Sequence, residues 1–153
     1  MELQTIETAL KSEPFETLLQ APSAEIPVER LLVSLPSDIS DDLILELLYI
    51  PGLEKELEAN KLLQFFTVLP CDVAVEKQVE LQQLLIGLNV NLPVPSFGFR
   101  EDDNLVYHKY VDFVPNQSDR YPVSAIVETI WLIAYIIDLF YEQIATVAAT
   151  SKS

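Results

Sequence analysis

One histidine, one cysteine and three glycines set narrow limits on the chemistry open to this 153-residue chain. His108 is the only side chain whose ordinary pKa lets it shuttle protons near neutral pH. Any serine or cysteine triad would have to use it, and a histidine-rich metal cage is out of reach. With a two- or four-residue turn in its hairpin, His108 falls mid-strand on the face of Phe97, Phe99, Val106 and Tyr110, which suits a packed histidine. A pocket formed by His108, Tyr107 and Tyr110, serving a small molecule or a reaction, is the alternative. Cys71 sits between Pro70 and Asp72 near an expected helix start, a place that can lower a thiol pKa, yet no partner base is evident nearby. A structural thiol is the expectation. The acidic stretches Asp38–Asp42 and Glu101–Asn104 lack the ligand spacing and central glycine of a calcium loop and read as solvated turns. Gly52, Gly87 and Gly98 fit neither common phosphate-cradling loop. The expectation is a chain with no catalytic residue, no cofactor and no metal.

Binding chemistry is better represented. In the stretch from Val123 to Ala149, Ile126, Ile130, Ile133, Ile137, Phe140 and Ile144 share one helical face and form its packing stripe. Ser124, Glu128, Asp138, Glu142 and Thr146 mark the opposite face, but Trp131 and Tyr135 lie in the middle of it. Leu132, Ile136 and Leu139 widen the apolar surface on one flank. Such a helix asks for more cover than one sheet supplies. Two coverings are open: a partner or second copy anchored on Trp131, Tyr135 and Leu139, or the N-terminal helix of the same chain. Leu32 and Tyr49 are further interface candidates, expected at exposed strand positions.

Composition narrows the partner. Half the residues are hydrophobic, enough for a core without metal or disulfide. Nine basic residues against 24 acidic ones leave a net charge of −15. Phosphate backbones and anionic lipid are repelled at long range, so the expectation is no nucleic acid and no membrane. Residues 1 to 60 hold thirteen of the acids and three of the bases, which favours basic partners. A lone cysteine and an N-terminus without a signal-peptide pattern point to the cytoplasm. Glu128, Asp138 and Glu142 interrupt the terminal apolar stretch, so it reads as a buried helix and not as a membrane span.

These side chains must be positioned by a small set of elements. Leu3, Ile6 and Leu10, then Phe15, Leu18 and Leu19, predict a helix kinked or broken at Pro14. Residues 1–28 are read as an N-terminal helical segment. Strand-length apolar runs follow at Arg30–Leu35, Leu43–Ile50 and Leu62–Leu69. The first two form a hairpin through the turn formers Pro36 to Asp42, although residues 43–60 are also compatible with a broken helix. Asp72 and Glu76 predict the start of a helix running to about Leu88 with Leu81, Leu84, Leu85 and Leu88 inward, and Asn89 suits its end. A second hairpin spans Ser96–Arg100 and Leu105–Phe113, Pro115–Tyr121 is a loop, and Pro122 opens the long helix. Residues 149–153 read as a flexible tail. The prediction is one α+β domain over 1–153, with an antiparallel sheet of about five strands, helices on one face and order α-β-β-β-α-β-β-α.

The segment LLQFFTVLPCDVAVEKQVELQQLLIGLNVNLPVPSFGFREDDNLVYHKYVDF has a strand ending in Leu69-Pro70, a helix running into Leu88-Asn89, then Pro95, Phe97 and a strand with Tyr107 and Tyr110. With the terminal helix, it resembles the type III secretion chaperone-like superfamily, including its YbjN-like branch of bacterial cytoplasmic proteins. The resemblance implies a homodimer that binds segments of other proteins, chaperone-like or as a regulatory adaptor. It brings no active site with it.

Overall fold

Strands whose apolar residues alternate in burial pair into a single sheet in the computed structural model, which describes residues 1–39, 43–117 and 121–149. The elements are α1 (Leu3–Leu10), β1 (Glu16–Gln20), β2 (Arg30–Ser34), β3 (Ile44–Tyr49), β4 (Asn60–Val68), a 3-10 turn (Val75–Lys77), α2 (Gln78–Asn89), β5 (Phe97–Arg100), β6 (Leu105–Pro115) and α3 (Val123–Ala148). The sheet has six strands in the order β1-β2-β3-β4-β6-β5, and every neighbouring pair is antiparallel. The α+β class and the antiparallel sheet are as expected.

One face of this sheet is covered. Leu31, Val33, Leu45, Leu47, Leu63, Phe65, Val106, His108 and Val114 share that face and are buried. Against them lies α3, whose Ile126, Ile130, Ile133, Ile137 and Ile144 are fully buried as the 3.6-residue period requires. On its flanks α1 covers β1 and β2 through Leu3, Ile6 and Leu10, and α2 covers β5 through Leu81 and Leu85. The backbone amide of Ala74 donates to the carbonyl of Ala148, tying the end of α3 to the turn before α2.

Several expectations are corrected. The second part of the N-terminal segment is a strand: Thr17, Leu18 and Leu19 pair with Val33, Leu32 and Leu31 of β2, making six strands instead of about five. The spacing of Phe15, Leu18 and Leu19 fits a helix, but a free edge at β2 offers five residues a ladder of hydrogen bonds. Of the two readings of residues 43–60 the strand stands: the segment holds β3, then turns and the first residue of β4, with no helix. Helix α2 begins at Gln78, after the 3-10 turn, and receives no side-chain cap. Asn89 keeps its helical place, and its side chain is used elsewhere. The turn at Ser40–Asp42, part of the Pro115–Tyr121 loop and most of the 149–153 tail lie outside the described residues.

Candidate protein-interaction surfaces

The second face of the sheet has no covering layer among the described residues. Register places Leu18, Leu32, Glu46, Phe66 and Lys109 in one row across β1, β2, β3, β4 and β6 on this open face. Leu18, Ile44, Val68 and Phe113 stay exposed there, and Leu32, Leu48, Leu62, Tyr107 and Val111 are half-buried by their neighbours. Phe66 stacks on Tyr107 at 5.5 Å between ring centres. Charge is sparse: among strand residues this face carries Glu16 and Glu46 against Arg30, Arg100 and Lys109. Arg30 donates to Glu46 at 2.8 Å and also to Gln20. In a chain with 24 acids and nine bases, a face with two acids and three bases is one from which the acidity has been removed.

The outer side of α3 is a second apolar surface. Trp131, Tyr135 and Leu139 follow one another at i, i+4 and i+8 and are 38%, 62% and 56% exposed. Phe15, at the corner between α1 and β1, packs on Trp131 with ring centres 4.9 Å apart, so the N-terminal segment covers part of the indole. It leaves Tyr135 and Leu139 open. Of the flanking residues, Ile136 is taken into the core and Leu132 is half-buried. Beyond the sequence reading, α2 and the turn before it expose Val75, Val79 and Ile86, and Val90 is exposed just past the end of α2.

The remaining candidates separate. Leu32, expected at an exposed position, lies on the open face but is half-buried, opposite Leu18 and Glu46. Tyr49 does not take an exposed position: it shares the covered face with Leu45 and Leu47, and its hydroxyl donates to the Met1 carbonyl at 2.7 Å. Burial pushes its pKa up to about 12. Lys61 stands over its ring at 5.1 Å. Both Leu48 and Tyr49 are apolar enough to face inward, so composition alone left the parity open.

The His108 constellation is not assembled. His108 is fully buried and pairs with Phe97, edge to face, at 5.1 Å, while Tyr107 points to the opposite side of the sheet. Its Nε2–H donates to the Val94 carbonyl at 2.9 Å, its Nδ1 has no partner among the described residues, and burial lowers its pKa. Tyr110 is half-buried on the covered face near Asp112, which accepts a 2.6 Å bond from the Tyr121 hydroxyl. Cys71 is half-buried, and burial together with Asp72 pushes its thiol up to about 11, opposite to the direction that a helix start would give.

A cleft of about 640 Å3 lies at the end of the sheet, lined by Tyr49, Lys61, Leu57 and Asn116 among others. No group of three metal-ligating side chains occurs among the described residues. Among the described residues, α3 is the one helix long and apolar enough to cross a membrane, and the fold spends it as the central cover of the sheet. No family model, curated protein or solved structure matches this chain.

Proposed function

We propose that this chain is a non-enzymatic protein-binding domain, chaperone-like or a regulatory adaptor, which works as a homodimer and holds a segment of another polypeptide. The observation that carries the reading is that a two-layer fold leaves apolar surface open on both outer sides. One side is the bare sheet, and the other is the Trp131, Tyr135 and Leu139 stripe of α3. Exposed apolar patches of this kind are characteristic of association surfaces, and aromatic residues are their usual anchors. The resemblance to the type III secretion chaperone-like superfamily points the same way. Surplus acidity elsewhere on the chain selects basic partners by steering.

An array of basic, apolar-patterned peptides probed with the purified protein tests this. Binding that Tyr135→Ala and Leu139→Ala each weaken at least tenfold, with unchanged melting temperature, is the expected result. An array on which nothing binds sinks the reading.

A further inference from the structure

The row across the open sheet face is built symmetrically about its middle. Phe66 on β4 is flanked by Glu46 on β3 and by Lys109 on β6. The rows on either side repeat the arrangement with apolar residues. Continuing the β3–β4 register by one residue sets Val68 between Ile44 and Tyr107, and Gln64 lies between Leu48 and Val111.

We propose that a second copy of this chain covers the open face, with a two-fold axis lying between the two sheets and running along β4 above Phe66. The inference rests on the protein-binding reading and names the occupant of one of its two surfaces. A two-fold axis along β4 exchanges the β3 side of one copy for the β6 side of the other. Each Glu46, keeping its Arg30 partner in the same chain, then also meets a Lys109, each Ile44 a Tyr107 and each Leu48 a Val111, while Phe66 meets itself. An axis across the strands over the same row would instead set Glu46 against Glu46 and Lys109 against Lys109, which like charges disfavour. Isologous interfaces require this kind of self-complementarity.

Size and charge agree with this occupant. The six strands hold 40 residues, and each covers about 16 Å2 of sheet, so the face projects about 650 Å2 before side-chain relief is added. A standard interface takes about 800 Å2 of accessible surface from each partner. Two chains of −15 repel one another over most of their surface, and this near-neutral face is where that repulsion is weakest. Sheets pack about 10 Å apart, a gap that a lysine and a glutamate reaching from opposite sides close.

The test is a charge exchange read by light scattering on a sizing column at tens of micromolar. Wild type should run as a dimer. Glu46→Lys sets the new lysine against Lys109 twice per dimer, and Lys109→Glu sets the new glutamate against Glu46 twice, so each variant alone should weaken association at least tenfold. In a mixed dimer both contacts pair opposite charges, Lys109 with Glu46 at one and the new lysine with the new glutamate at the other, so mixing should restore a dimer containing one copy of each. The double variant Glu46→Lys/Lys109→Glu should likewise dimerise with itself. Glu46→Lys also removes the Arg30–Glu46 pair within the chain, so Lys109→Glu is the cleaner arm, and melting temperatures within a few degrees of wild type certify the fold of both. A monomeric wild type overturns the inference, as do single variants that dimerise like wild type or a mixture of folded variants that stays monomeric. A monomer that still binds peptides through α3 leaves the peptide-binding reading standing, whereas a charge-controlled dimer that binds no peptide does the reverse.

Discussion

The phenol ring of Tyr107 lies over the backbone of Gly98, where a methyl group would meet its Cζ well inside van der Waals contact. Gly98 leaves room for the ring that stacks on Phe66, and so belongs to the apolar surface of the open face. Gly98→Ala should force Tyr107 outward. In a background of Tyr107→Ala the same change should stabilise by about 0.4–1 kcal/mol, because alanine restricts the unfolded chain. In wild type that gain should vanish or reverse. A double-mutant cycle from urea unfolding measures the difference, expected at about 1 kcal/mol.

Asn89 closes the exposed edge of the sheet. Its side-chain amide donates to the Phe97 carbonyl and accepts from the Phe97 amide, both at 2.8 Å, as another strand would. Edge strands left open invite pairing with other chains. Asn89→Ala should cost about 1–3 kcal/mol by leaving two backbone groups without partners. It should also speed hydrogen exchange at the Phe97 amide and promote aggregation. Exchange at Phe97 no faster than in wild type would show that this clamp carries no stability.

Legibility from sequence followed the strength of local periodicity. The β5–β6 hairpin was readable because Val106, His108 and Tyr110 alternate with exposed or opposite-facing neighbours, and α3 was readable because its isoleucines recur at helical spacing. Strand β1 was not, since five residues holding Leu18 and Leu19 suit either period until β2 supplies a ladder. The bare sheet face was foreshadowed by Leu43–Ile50 and Leu62–Leu69, which are apolar on both parities. Such runs normally mark strands covered on two sides, and whether a second cover exists depends on how many helices the rest of the chain provides. The outward position of Trp131, Tyr135 and Leu139 is legible because a helical wheel suffices to place them. Tyr49 was misplaced because strand parity toward the core is a tertiary decision.

Cys71 should be nearly inert in the folded protein. Its thiol is raised from an ordinary 9.0 to about 11, so at pH 8 the reactive thiolate should be about 100-fold scarcer than in the unfolded chain. Labelling with a disulfide reagent should therefore be at least that much slower in buffer than in denaturant. Equal rates would show that the thiol is neither buried nor raised.

Phe15 holds the single tryptophan from one side, which makes Trp131 a reporter of folding at this corner. Phe15 is 7% exposed, and Phe15→Ala should cost about 3 kcal/mol through the lost burial and the cavity left behind. Trp131 emission should shift to the red as water reaches the indole. Tyr135→Ala removes an exposed side chain and should change stability by less than about 0.5 kcal/mol. A Tyr135 variant that unfolds like the Phe15 variant would mean that the outer stripe of α3 is core.

His108 should give the fold an acid-sensitive window. Burial lowers its pKa below 6.5, and among the described residues Nδ1 has no acceptor waiting for a second proton. As pH falls through 6.5 the unfolded chain takes up a proton that the folded chain refuses until a lower pH. Between those values the unfolded state binds more protons, so stability falls with falling pH and levels off once the folded pKa is passed. One proton sets the steepest slope at about 1.4 kcal/mol per pH unit, or a drop of about 3–5 °C in melting temperature for a domain this size. His108→Gln can keep the bond to the Val94 carbonyl and has no proton to gain. Its melting temperature should therefore stay flatter than that of wild type from pH 6.5 to 5, while the carboxylates, common to both proteins, contribute equally. Parallel curves for the two proteins would place the acid sensitivity elsewhere in the fold.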